Sequence, residues 1–211
     1  MSSIIYNFEK IKKNLSDNIN IIAVSKSFKF DQIKPLIDYG HLHFGENKVQ
    51  EAINKWSLIK KNIPEINLHM IGKLQSNKAK EAVNFFDYIH SLDSPKLASL
   101  LSKFETSLGK KRKYFIQVNI GKEPQKTGIS EEQLENFFYY CVKDLKLKII
   151  GLMAIPPNNG NEKLYFKHLM NLNDSLALKE LSMGMSSDYK EAIRYKATFI
   201  RIGSAIFGNR N

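Results

Sequence analysis

Ile19-Asn20-Ile21-Ile22-Ala23-Val24-Ser25-Lys26, followed by a segment opening at Asp31 and closing at Tyr39-Gly40, sets the pattern that the rest of the chain repeats. Residues 19–24 form a short apolar run rich in β-branched side chains, which suits a buried strand. Asp31 is a helix-opening residue and Gly40 a natural stop beyond the last turn, so 31–39 reads as a helix.

Upstream, Ile4, Ile5, Phe8, Ile11 and Leu15 recur at helical spacing and predict one extra helix over 3–16. Downstream the strand-helix unit returns. Strands are expected at 41–44, 67–71, 88–91, 114–120, 147–155, 180–185 and 198–202. The helices between them fall at 47–60, 77–85, 94–108, 130–142, 162–178 and 187–196, and Pro95 suits the first position of its helix. A doubly wound sheet also alternates strands and helices, but eight short apolar strands favour closure. The expectation is an α/β chain folded as one (β/α)8 barrel of the TIM type, a single domain over 1–211. The only linker-like loop, 156–161, is too short to separate domains.

At 211 residues with 43% hydrophobic and 25% charged side chains, the composition is that of an ordinary globular protein. No apolar run approaches the roughly 20 residues that cross a bilayer. The N-terminal 13 residues lack the apolar block of a signal peptide. Cys141 stands alone, which excludes an intramolecular disulfide, and a cytoplasmic protein without membrane association is expected. The net charge of +11 invites a nucleic-acid reading. Against it, the charge is nearly all lysine, scattered along the chain, and resembles a genome-wide lysine and asparagine bias. The arginines are Arg112, Arg194, Arg201 and Arg210, and no DNA- or RNA-binding motif appears. No Cys/His cluster has metal-ligand spacing, and no glycine-rich nucleotide loop is present.

In a barrel of this type the site lies at the C-terminal strand ends. Polar and glycine residues gather there: Ser25-Lys26, Gly45-Glu46-Asn47, Gly72 to Lys78, Ser91-Leu92-Asp93, Asn119, Met153, Met183 to Asp188 and Arg201 to Ser204. Lys26 ends an apolar strand, so its side chain should enter the barrel mouth. A partly desolvated lysine has a lowered pKa, and its neutral amine can add to an aldehyde. The plainer alternative is a lysine reaching solvent at a strand end. Ser186, Ser187, Gly203 and Ser204 suit a phosphate, with Ser187 opening a helix whose amides face the anion. Core packing at Met183-Gly184-Met185 and an ordinary cap at Ser187 are the alternative. Arg201, within the last strand, should point inward and needs a partner, either a ligand acceptor or a carboxylate such as Glu46 or Asp93.

Taken together, Ala23-Val24-Ser25-Lys26, Phe44-Gly45-Glu46-Asn47 with Gln50-Glu51, His69 to Lys78, Gln117-Val118-Asn119, Gly151-Leu152-Met153, Leu181 to Ser186 with Asp188, and Arg201 to Gly208 carry a resemblance. The chain resembles the pyridoxal phosphate homeostasis proteins, small barrels related to the N-terminal domain of alanine racemase. The resemblance implies pyridoxal 5′-phosphate as cofactor, held by Lys26 as a Schiff base. It also implies Arg201 facing the pyridine nitrogen, Ser186, Gly203 and Ser204 on the phosphate, and Asn47, His69 and Met153 lining the cofactor. Ser187 is a further, less direct phosphate contact.

An arginine opposite the pyridine nitrogen disfavours its protonation and weakens the ring as an electron sink. A racemase would also need a second acid/base, which alanine racemases take from an added β-domain of the partner subunit. This chain, ending at Asn211, is expected to lack one, and a monomer is expected. Of the other candidates, His69 is read as packing beside the ring or sitting in a polar network, and Cys141 as an inert core thiol. The expectation is therefore vitamin B6 homeostasis through cofactor storage or delivery without turnover, with apo-forms of pyridoxal-phosphate enzymes as recipients. The alternatives are an amino-acid racemase or lyase and a basic nucleic-acid-binding barrel.

Overall fold

The computed structural model describes residues 2–123 and 125–208. Arg210, one of the four arginines, lies outside them. Eight parallel strands close on themselves in sequence order. They are β1 (Asn20–Val24), β2 (His43–Glu46), β3 (Asn67–Met70), β4 (Tyr88–Leu92), β5 (Lys113–Gln117), β6 (Lys148–Met153), β7 (Glu180–Met185) and β8 (Phe199–Ile202). The fold is a (β/α)8 barrel, as the alternating pattern predicts. Closure is made by β1 on β8, with Ile22 beside Arg201 and Ala23 beside Ile202.

The outer layer is α1 (Ser3–Lys12), α2 (Phe30–Asp38), α3 (Val49–Asn62), α4 (Ala79–Phe85), α5 (Pro95–Leu108), α6 (Glu131–Tyr139), α7 (Glu162–Ser175), α8 (Tyr189–Arg194) and α9 (Ser204–Phe207). Local chemistry sets their ends. The Ser94 hydroxyl accepts from the Leu97 amide and Pro95 starts α5. Beyond α2, Gly40 takes φ +93°, so its amide reaches the Ile37 carbonyl and the His41 amide the Leu36 carbonyl.

Several boundaries differ from expectation. β2 starts at His43, because His41-Leu42 carries the chain from the α2 stop up to the sheet. The last turn of the sixth helix is π-helical over Tyr140–Asp144. The helix expected to open at Ser187 begins at Tyr189, since Asp188 closes a turn with its Oδ1 on the Met185 amide at 2.6 Å. α9, directly after β8, was not anticipated.

Alternation along the strands divides the core in two. Outward side chains such as Phe44, Leu68, Ile89 and Ile200 pack with the helices. Inside the barrel, Ile22, Tyr88, Phe115, Met153 and Phe199 form a separate cluster around His69 and His90.

Candidate functional site

The C-terminal mouth brings most of the singled-out residues together. Lys26 lies two residues beyond β1 and is half-buried. The next residue, Ser27, adopts φ +69°, which turns the chain sharply toward α2. Gly203 follows β8 so closely against β1 that a Cβ there would stand 3.4 Å from that of Val24. The two ends of the chain's barrel therefore meet beside Lys26.

The support under Lys26 was not foreseen. Glu46 is only 1% exposed and faces away from the barrel interior. Its Oε1 accepts from the Ser25 hydroxyl at 2.8 Å, the Lys55 ammonium at 2.9 Å and the Trp56 indole at 2.9 Å. Lys55 also donates to the Ser25 carbonyl at 2.8 Å. Strand β1 thus ends in a clamp made by β2 and α3. The sequence signal was the period of α3, which places Lys55 and Trp56 on the turn facing Glu46.

Arg201 is 4% exposed and points inward from β8. Nη1 donates to the Ser182 carbonyl at 2.7 Å and hydroxyl at 2.8 Å, and Nη2 to the Ala154 carbonyl at 2.9 Å. The expected structural alternative, a pair with Glu46 or Asp93, is not formed: Glu46 is committed to the clamp. Among the described residues no carboxylate lies within ion-pair distance of Arg201, and no hydrogen bond uses its Nε. Burial pulls its pKa down to about 10, opposed by the charge of Asp188, so it stays a cation at neutral pH.

On the β7–β8 side, the Ser186 hydroxyl accepts from the Gly203 and Ala205 amides, both at 3.3 Å. Two amides and a hydroxyl thus converge where the β7 and β8 loops meet. Ser204 is exposed at the start of α9 and Ser187 is exposed in the turn before α8. Ser187 is therefore not a helix cap, and Asp188 has that place. Across the mouth, Asn47 is half-buried and packed on Gly72. A Cβ at Gly72 would lie 2.8 Å from the Asn47 Cα and closer still to its carbonyl oxygen. Met153 is fully buried at the end of β6.

His69 sits deeper than the mouth residues. It is fully buried, stacked on Tyr88 at 4.3 Å, and both ring nitrogens bond other histidines, His43 and His90, at 2.9 Å. Burial holds its pKa well below the ordinary value. It is in a polar network, and that network was missed apart from His69. Cys141 is buried on the outer layer, its thiol pushed up to about 12. No three His, Cys, Asp or Glu side chains among the described residues are placed to hold a metal. No described helix is long and apolar enough to cross a membrane.

The family model described as alanine racemase, N-terminal domain, matches residues 1–211. A pyridoxal phosphate homeostasis protein of Synechocystis is 37% identical over 212 residues, covering 96% of this chain and 97% of its own. One from Aquifex aeolicus is 36% identical, covering 90% and 86%. The structure of PipY from Synechococcus elongatus with PLP bound superposes with a TM-score of 0.90 at 35% identity, covering 97% of this chain and all of that one. The chain belongs to the alanine racemase N-terminal domain family and, within it, to the pyridoxal phosphate homeostasis proteins.

Proposed function

We propose that this chain, as one barrel domain, binds pyridoxal 5′-phosphate at its mouth and holds it for vitamin B6 homeostasis in the cytoplasm, without turning over amino acids. The donor set fits the group. A buried guanidinium with no carboxylate in ion-pair distance among the described residues suits an unprotonated pyridine nitrogen, and the amides and hydroxyls of Ser186, Gly203 and Ser204 suit a phosphate, with Ser187 at the rim. Asn47 and Met153 flank the space between, and His69 underlies it through its network. The PLP-bound structure of PipY supports the same reading.

When bound, the cofactor supplies an aldehyde that forms a reversible carbon–nitrogen double bond with an amine. Lys26, once its ammonium had given up a proton, would be the amine that holds this aldehyde. Ser25 and the Glu46–Lys55 clamp fix where its strand ends.

Arg201 favours storage over catalysis, and a racemase can work with such an arginine only when a second acid/base faces the substrate. A fixed cation opposes a second positive charge on the pyridine nitrogen, so the ring draws electrons poorly. Neither candidate for a second acid/base is placed for the work. His69 has both nitrogens engaged, and Cys141 lies outside the barrel. A monomeric carrier that passes the cofactor to apo-enzymes fits these features.

The test is to titrate pyridoxal 5′-phosphate into wild type and Lys26→Ala, recording the imine absorbance and, after borohydride reduction, the mass. Wild type gains the band and one reduced adduct at Lys26, and the variant gains neither. An identical spectrum without Lys26 would overturn the assignment. Rapid α-proton exchange of amino acids in heavy water would overturn the non-catalytic reading.

A further inference from the structure

Three histidines cross the barrel interior in a hydrogen-bonded line that ends at Arg201. Nδ1 of His43 on β2 lies 2.9 Å from Nε2 of His69 on β3, and Nδ1 of His69 lies 2.9 Å from Nε2 of His90 on β4. Nδ1 of His90 is 2.8 Å from the Ser182 hydroxyl on β7, the same hydroxyl that accepts from Arg201 Nη1. At the far end His43 is half-buried and lines an open cleft of about 890 Å³ at the foot of the barrel, on the side opposite the mouth.

The rings are neutral at pH 7, for reasons visible in their surroundings. Burial lowers the pKa of all three. Lys113 on β5 repels added charge on His43 and His69, as His41 does on His69 and Arg201 does on His90. Among the described residues Asp87, before β4, is the one charge that acts the other way, on His43. The remaining neighbours, Tyr88, Phe115 and Phe199, are uncharged rings.

Three neutral imidazoles carry three protons. Each of the two nitrogen–nitrogen links holds one. The third sits either on His90 Nδ1, facing Ser182, or on His43 Nε2. Arg201 decides between them. If Ser182 accepted from both Arg201 and His90, its own proton would have no acceptor, because its hydroxyl takes part in no other hydrogen bond among the described residues. Ser182 therefore donates to His90 Nδ1. His90 donates through Nε2 to His69 Nδ1, and His69 through Nε2 to His43 Nδ1. Every acceptor end then faces the guanidinium, the direction that stabilises a cation.

We propose that Ser182, with His90, His69 and His43 behind it, is the positioning element of Arg201: a one-way line of neutral dipoles where other buried cations have a carboxylate. A carboxylate would cancel the charge. The line fixes the guanidinium and leaves its positive field to the ligand. The proposal rests on reading Arg201 as the partner of the pyridine nitrogen.

The test reads the line itself before any cofactor is added. Nitrogen-labelled histidine NMR of the unliganded wild type should show His43, His69 and His90 all protonated at Nε2 and bare at Nδ1. Ser182→Ala should leave His90 a mixture of tautomers, and Ser182→Thr, which keeps the hydroxyl, should restore the single form. In parallel titrations, Ser182→Ala should bind pyridoxal 5′-phosphate roughly tenfold more weakly, the effect of losing one hydrogen bond to a charged group, with Ser182→Thr near wild type. Should Ser182→Ala fail to fold, His43→Gln, whose carbonyl still accepts from His69, must keep His69 and His90 in the Nε2–H form. Protonation of His90 at Nδ1 in wild type would overturn the proposal, as would unchanged tautomers and affinity in Ser182→Ala. If wild type takes up no cofactor, the proposed function fails, while the tautomer pattern still decides the polarity of the line.

Discussion

Lys55 and Glu46 meet at 2.9 Å behind the end of β1, and the same ammonium donates to the Ser25 carbonyl, one residue before Lys26. The pair is nearly dry, with side chains 14% and 1% exposed, and Glu46 Oε2 has no partner among the described residues. Removing one member of such a pair leaves a buried charge uncompensated. Lys55→Met is therefore expected to destabilise the fold by about 3 kcal/mol, measured by urea unfolding. Adding Glu46→Leu should return part of that loss, because both charges are then gone.

Gly72 is required by Asn47. Even a methyl at Gly72 forces the Asn47 backbone away, and the rigid β2–β3 seam leaves it little room. Gly72→Ala should cost about 1–3 kcal/mol in denaturant unfolding. It should also weaken pyridoxal 5′-phosphate uptake, since Asn47 borders the mouth. Normal stability and normal uptake together would show that Asn47 has slack.

Asp188 holds the β7 turn through the Met185 amide and is the acidic charge that favours the Arg201 cation. Asp188→Ala removes both effects and is expected to cost about 1 kcal/mol of stability, as for one lost hydrogen bond. Asp188→Asn keeps the acceptor and should recover the stability. Comparing cofactor affinities of the two variants separates the loop's geometry from the charge.

Acid should loosen the barrel through its histidines. Burial lowers the pKa of His41 to about 4 and depresses those of His43, His69 and His90. A histidine kept neutral in the fold binds its proton more readily when unfolded. Stability is then complete above the ordinary value near 6.5, and is lost as pH falls through it toward the depressed folded values. Urea midpoints should drop from pH 7 to pH 4.5, with net proton uptake on unfolding. His41→Phe should reduce the slope, and a flat profile would show that these rings are protonated in the fold.

The alternation of strands and helices was legible because short apolar runs, β-branched in β1, recur between segments of helical period. The mouth was legible because glycine and polar residues collect at strand ends, and the family motifs named the residues there. The surroundings of Arg201 were harder to read. Glu46 and Asp93 were plausible partners on charge alone. Only the register, which sets Arg201 beside Ile22 and near Ser182, shows that it bonds a hydroxyl and carbonyls instead. The histidine line was hidden for a related reason. His43, His69 and His90 lie on three strands, and nothing in their local sequence says that they share one layer. Ser187 is not the helix start because the turn closed by Asp188 on the Met185 amide carries the chain one residue further.

Barrel closure has a consequence for how the site comes into being. Lys26 leaves the first strand, whereas Arg201 and Gly203 belong to the last, and they become neighbours only when β1 pairs with β8. Contacts between such distant parts of a chain form late and slowly. A chain emerging from synthesis, or one opened at that seam, has Lys26 without Arg201 and Gly203 beside it. Capture of the cofactor should then report that the ring has closed, and the cofactor should in turn latch the one seam that joins the start of the barrel to its finish.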